Sequence, residues 1–153
     1  MTRNITVAAV QTGPVLTDDL SAAVAPACAM IDEASRALAL QGAEIVFMPI
    51  CAATYGEQKL RANTWELPIQ ALACENGVFV VAPNRAGDEN GCRHSDKSMI
   101  VNPVGAEIMC LSGTDEPEVL VATLDLDDAQ VAQKSLPWWR DWRPDLCAAL
   151  TAH

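Results

Sequence analysis

Basic residues are scarce in this chain, with Lys+Arg 10 against Asp+Glu 20 over 153 residues and a formal net charge of -10 at pH 7. Such a balance repels phosphate backbones, and the basic residues are scattered rather than clustered, which argues against nucleic acid as a partner. The same acidity slows capture of anionic substrates unless a local Arg or Lys compensates. Long apolar runs are missing too. Although 50% of the residues are hydrophobic, no stretch approaches the roughly 20 residues that cross a bilayer. The N-terminus carries Asn4 and polar spacing where a signal peptide has an apolar core, so a soluble, cytoplasmic protein with no membrane partner is expected. Histidine is limited to His94 and the terminal His153. The stretch Cys92-Arg93-His94-Ser95-Asp96 therefore brings a thiol, an imidazole and a carboxylate together with too few further donors for structural zinc, and a surface loop is the competing reading. Paired cysteines are also lacking. Cys28, Cys51, Cys74, Cys92, Cys110 and Cys147 lie singly, mostly inside apolar segments, and read as buried free thiols rather than a disulfide framework. Repeats, linkers and low-complexity segments are absent, and the length predicts a single domain, 1–153, with one core.

What is present is an alternation of helical and buried-strand patterns. Asn4 to Gln11 is a near-continuous apolar run with Ile5, Val7 and Val10, which suits a strand covered on both faces. Thr17, Asp18 and Asp19 supply an N-cap and first-turn acids for a helix whose stripe runs through Leu20, Ala23, Val24, Ala27, Cys28, Ile31 and Ala34; Pro26 predicts a kink or a late start, and Gly42 the stop. Glu44 to Met48 predicts a second strand ended by Pro49, and a polar loop follows through Arg61. Thr64 can cap a helix from Trp65 to Glu75, with Pro68 inside the first turn, where it sacrifices no intrahelical bond. After Gly77 comes the strand Val78 to Ala82. Ser98 to Asn102 and Ala106 to Leu111 predict a hairpin turned by Pro103 and Gly105, Glu118 to Leu124 another strand, and Asp125 to Lys134 a short helix before Pro137. The pattern predicts an α/β layered fold with a mixed sheet.

The run from Trp65-Glu66-Leu67-Pro68 through Glu75-Asn76-Gly77-Val78-Phe79-Val80-Val81-Ala82-Pro83-Asn84-Arg85-Ala86-Gly87 also reads as a family signature. With Ser98-Met99-Ile100-Val101-Asn102-Pro103-Val104-Gly105 and Arg140-Asp141-Trp142-Arg143-Pro144-Asp145-Leu146, it resembles the carbon-nitrogen hydrolases of the nitrilase superfamily, closest to the N-carbamoyl amino acid amidases. The resemblance implies an αββα sandwich whose subunits stack sheet to sheet. It also implies cofactor-free cleavage of amide or N-carbamoyl C–N bonds by a Cys nucleophile, a Glu base and a Lys that stabilises the oxyanion. None of those groups stands in its family context here. The Cys belongs in a stretch like Ile-Cys-Tyr-Asp, which does not occur, and Gly42-Ala43-Glu44-Ile45-Val46-Phe47-Met48-Pro49 follows the strand that should end in the Glu until Ile50 replaces the acid. The better alignment places Met1 to about Ser35 on the family's first strand and helix, and Arg36 to His153 on its C-terminal half. The middle, with all three catalytic groups, is then absent. The expectation is a truncated sandwich, inactive alone, with about half the strands and with sheet edge and apolar face left for a partner to cover. The alternative is a non-catalytic oligomer-forming subunit or small-ligand-binding module.

Each candidate residue has two readings. Cys51 lies just past a strand end, where sites of α/β sheets gather, and Glu57 and Lys59 are the nearby groups that could serve a makeshift triad; otherwise Cys51 is a small apolar residue. Asn84 and Arg85 end a buried strand and could meet a small amide or N-carbamoyl ligand, or could satisfy loop backbone. Glu66 and Glu75 flank the Trp65 helix and favour structural roles. Trp138, Trp139, Arg140, Trp142 and Arg143 combine the residue types of nucleic-acid stacking and of interface hot spots, and in this acidic chain they point to packing in a homo-oligomer, as the family's similar tail does.

Overall fold

A computed structural model of the chain describes residues 34–50, 53–54, 66–89, 92–94, 97–104, 106–113, 118–136, 141 and 143. The expected first strand, Asn4 to Gln11, and the helix start at Thr17 lie outside these residues, as do Thr64, Gly105 and Pro137. Residues 34–40 are helical and stop as Gly42 predicted. Ala43 N–H donates to Leu38 O at 3.0 Å and Gly42 N–H to Ala39 O at 2.9 Å, a paired C-terminal closure that needs the left-handed residue Gly42 supplies at φ 91°.

The β-branched and aromatic runs form a mixed sheet. Its strands are β1 (Ile45–Phe47), β3 (Phe79–Ala82), β6 (Met99–Val101) and β7 (Ile108–Leu111), in the order β1-β3-β6-β7. β1 and β3 are parallel, in the register Ile45↔Phe79, Val46↔Val80 and Phe47↔Val81, and the other pairs are antiparallel. A parallel pair needs a crossover, which helix α1 (Glu66–Asn76) supplies. Its inward residues Ile69, Leu72 and Ala73 pack with Val46, Val78, Val80, Ala82, Met99 and Val101 as one apolar cluster. Fully burying each large side chain in it stabilises by about 1.5–3 kcal/mol. Gly77, at φ 60°, lets Val78 N–H reach Ala73 O at 3.2 Å and turns the chain into β3.

Helix α2 (Asp127–Ser135) closes against that turn. Gln133 Nε2 donates to Gly77 O at 3.3 Å, and Asn102 Nδ2, just past β6, donates to Asp128 Oδ2 at 3.3 Å. The segment predicted as a strand from Glu118 to Leu124 joins no ladder among the described residues, where its attachment to the sheet is Cys110 Sγ donating to Val121 O at 3.5 Å. Alternation of apolar residues gave it the strand pattern, but a strand also needs a neighbour in register.

A second sheet was not anticipated. β2 (Ala53–Thr54), β5 (Cys92–His94) and β4 (Asp88–Glu89) pair antiparallel in the order β2-β5-β4. The surface-loop reading of Cys92 to Asp96 is thereby corrected for Cys92–His94, which lie in the central strand of this sheet with His94 buried.

Candidate functional site at the carboxyl edge of the sheet

Parallel strands leave their carboxyl ends on one edge, and in α/β sheets ligand sites gather there. Here the pairing of β1 with β3 continues past the strands: Met48 N–H donates to Val81 O at 2.8 Å and Ile50 N–H to Pro83 O at 2.9 Å. Because β6 runs antiparallel to β3 with Ala82 opposite Met99, its first residues reach the same edge. The links from β1 to β2, from β3 to β4 and from β5 to β6 all leave from this edge, so the second sheet is an outgrowth of it by topology.

Ser98 ties the edge together. Asn84 N–H donates to Ser98 Oγ at 2.8 Å, and Ser98 Oγ–H donates back to Asn84 O at 3.2 Å. Ser98 N–H donates to Ser112 Oγ at 2.7 Å, while Ser112 N–H donates to Ser98 O at 2.9 Å. One residue thus binds the segment after β3 and the segment after β7. Beside it, Lys97 holds a left-handed backbone at φ 55°, an uncommon conformation for a residue with a Cβ and one that recurs at functional sites. Its Nζ pairs with Glu66 Oε1 in the first turn of α1, both side chains being about one-third exposed or less.

Of the residues singled out by sequence, Asn84 and Arg85 fall within this edge. Asn84 is half-buried and its Oδ1 accepts Arg85 N–H at 2.9 Å, so part of the amide satisfies loop backbone, while Arg85 is exposed. Cys51, Glu57 and Lys59 lie outside the described residues, although Cys51 directly follows Ile50 on this edge in the chain. Glu75 is removed from it, at the far end of α1, where its Oε2 pairs with Arg36 Nη2 at 3.5 Å. The described thiols are half-buried, Cys74 in the last turns of α1 and Cys110 on β7 opposite Ile100. Within the described residues no group of three or more His, Cys, Asp or Glu could hold a metal ion, and no helix is long and apolar enough to cross a membrane.

Sequence reading missed Ser98, Ser112 and Lys97 as members of the edge. The local pattern marks Ser98 only as the start of a strand, and nothing in a single sequence signals which segment its hydroxyl will meet.

Comparison with known proteins places the arrangement. The carbon-nitrogen hydrolase family model matches residues 6–134. The chain is 35% identical over 128 residues to an N-carbamoylputrescine amidase of Solanum tuberosum, covering 77% of this chain and 42% of that protein. It is 34% identical over 124 residues to an (R)-stereoselective amidase of a Pseudomonas species, covering 80% and 43%. It therefore spans less than half the length of these curated relatives. Among solved structures, a carbon-nitrogen hydrolase from Helicobacter pylori superposes with a TM-score of 0.72 at 30% identity, over 80% of this chain and 45% of that one. An amidase of the nitrilase superfamily from Nesterenkonia does so with 0.58 at 27%, over 78% and 39%. A mixed α/β sheet, a signature running through α1 and β3, and these matches lead to one conclusion: the chain belongs to the carbon-nitrogen hydrolase family.

Proposed function

We propose that this chain keeps the sheet-forming part of an amidase-type carbon-nitrogen hydrolase but does not hydrolyse amide or N-carbamoyl bonds unaided, and that it works within a homo-oligomer. The observation that carries this reading is the residue content of the sheet's carboxyl edge. A thiol acyl transfer needs a nucleophile, a base and an oxyanion donor in mutual reach. The described edge offers instead an amide, a guanidinium, two hydroxyls engaged with backbone, and a Lys–Glu pair. The E41Q mutant of an amidase from Nesterenkonia carries the acetamide moiety of fluoroacetamide covalently at its active site cysteine, whereas no Cys here stands in the nucleophile context that the family resemblance implies.

Asn84 and Arg85 support a second reading beside the first, that of a small-ligand module. They sit at the edge where ligands gather, and Arg85 adds a positive side chain there on a protein of net charge -10, which favours a carboxylate locally. Ammonia release from a panel of amides and N-carbamoyl amino acids, with the wild-type protein beside Cys51→Ala, tests the main proposal. Neither protein is expected to exceed buffer. Turnover by the wild type that disappears in Cys51→Ala would establish a rebuilt site with Cys51 as nucleophile and end the inactive-subunit reading.

A further inference from the structure

We infer that Ser98 is a positioning residue: its hydroxyl sets where Asn84 and Arg85 stand at the sheet's carboxyl edge. This deepens the ligand reading of those two residues and rests on it for its functional meaning. The β3–β6 ladder runs to Ala82, so the backbone of Asn84 lies beyond its pairing with β6. There the Ser98 hydroxyl extends the contact between the two segments, accepting from Asn84 N–H at 2.8 Å and donating to Asn84 O at 3.2 Å. A side chain that satisfies both backbone groups of one residue fixes its peptide planes on either side. Asn84 then passes the constraint on, since its Oδ1 accepts Arg85 N–H at 2.9 Å.

Ser98 can do this because its own backbone is held from elsewhere. Its N–H donates to Ser112 Oγ at 2.7 Å and its carbonyl accepts Ser112 N–H at 2.9 Å, so β7 supports the clasp that β6 offers to β3. Lys97 immediately before it holds a left-handed backbone, at φ 55°. An Ala at 98 would keep both bonds to Ser112, since these use only the backbone of residue 98, and lose the clasp on Asn84.

Residue-resolved amide hydrogen exchange on the wild-type chain, Ser98→Ala and Ser98→Thr tests this without any ligand, so its outcome is independent of whether Asn84 and Arg85 bind amides. Ser98→Ala is expected to speed exchange at Asn84 and Arg85 by about tenfold, the loss expected of a part-buried hydrogen-bond pair. Exchange at Val101 and Ser112 should stay unchanged, and Ser98→Thr, which keeps the hydroxyl, should restore the wild-type rate. Unchanged exchange at Asn84 in Ser98→Ala, or a rise shared equally by Val101 and Ser112, would overturn the assignment. Should Ser98→Ala fail to fold, Ser98→Cys, whose thiol is a weaker donor and acceptor, provides the same comparison.

Discussion

Glycine positions show at the residue scale how much of this architecture can be argued from single side chains. Gly42 and Gly77 both close helices in the left-handed region, at φ 91° and 60°, but their surroundings differ. A Cβ on Gly42 would meet nothing within 4 Å among the described residues, whereas one on Gly77 would lie 2.6 Å from Gln133 Cγ and 3.2 Å from Gln133 N. Gly42→Ala therefore carries a backbone cost alone, about 1 kcal/mol. Gly77→Ala adds an overlap that must push α2 away, for about 2–4 kcal/mol in total. Urea midpoints of the two variants check this, and equal losses would sink the claim that α2 rests on Gly77. Both glycines were legible in the sequence as helix stops, because the conformational reason is local. Gln133 was not legible as the neighbour of Gly77, since 56 residues separate them, and neither was the left-handed Lys97, which no local rule requires.

Among the elements, the same division holds between what is local and what is paired. β1, β3, the β6–β7 hairpin, α1 and α2 came out of the apolar pattern with shifts of one or two residues at their ends. The sheet β2-β5-β4 did not, because strands of two and three residues such as Asp88–Glu89 and Cys92–His94 are too short to display a period. Glu118 to Leu124 differs in the opposite sense, having the period but joining no ladder among the described residues. Two ion pairs then anchor α1 at its ends, and exposure ranks them. Lys97–Glu66 joins its first turn to the start of β6, with side-chain exposures of 32% and 27%, while Arg36–Glu75 joins its last turn to the helical segment 34–40 with Glu75 58% exposed. Glu66 also faces the positive end of α1, so Glu66→Gln is expected to cost about 0.5–1 kcal/mol, and Glu75→Gln less than about 0.5 kcal/mol. Chemical denaturation at low salt and again at about 1 M NaCl measures both. A larger loss for Glu75→Gln, or a Glu66→Gln loss that grows with salt, would show that helix anchoring has been assigned to the wrong end.

On the scale of the whole molecule, apolar surface and net charge oppose each other. By register, Phe47, Val81, Ile100 and Cys110 form one row across the sheet face opposite the α1 cluster. Ile100 is buried in that row, yet Phe47 at the β1 edge is 61% exposed. Beside Cys110 runs the segment with Val119 at 86% and Val121 at 81% exposure. Surface of this kind marks interaction faces; in the tail, Trp138, Trp139, Arg140 and Trp142 lie outside the described residues, but with Arg143 they are of the residue types that dominate hot spots. Against assembly stands a net charge of -10 on each chain, which makes two copies repel. If burial of apolar and aromatic surface drives association, screening this repulsion must tighten the oligomer. Light scattering across a concentration series should then show assembly strengthening between about 0.05 and 0.5 M NaCl, where the screening length falls severalfold. Trp138→Ala, Trp139→Ala and Trp142→Ala together should return the 16.3 kDa chain to a monomer. Association that weakens with salt would transfer the role to Arg140 and Arg143 as ion-pairing groups on an acidic partner surface. A monomer at every concentration and salt would remove the oligomer from the proposed function altogether, leaving the edge at Asn84 and Arg85 as the place to look for what this chain does.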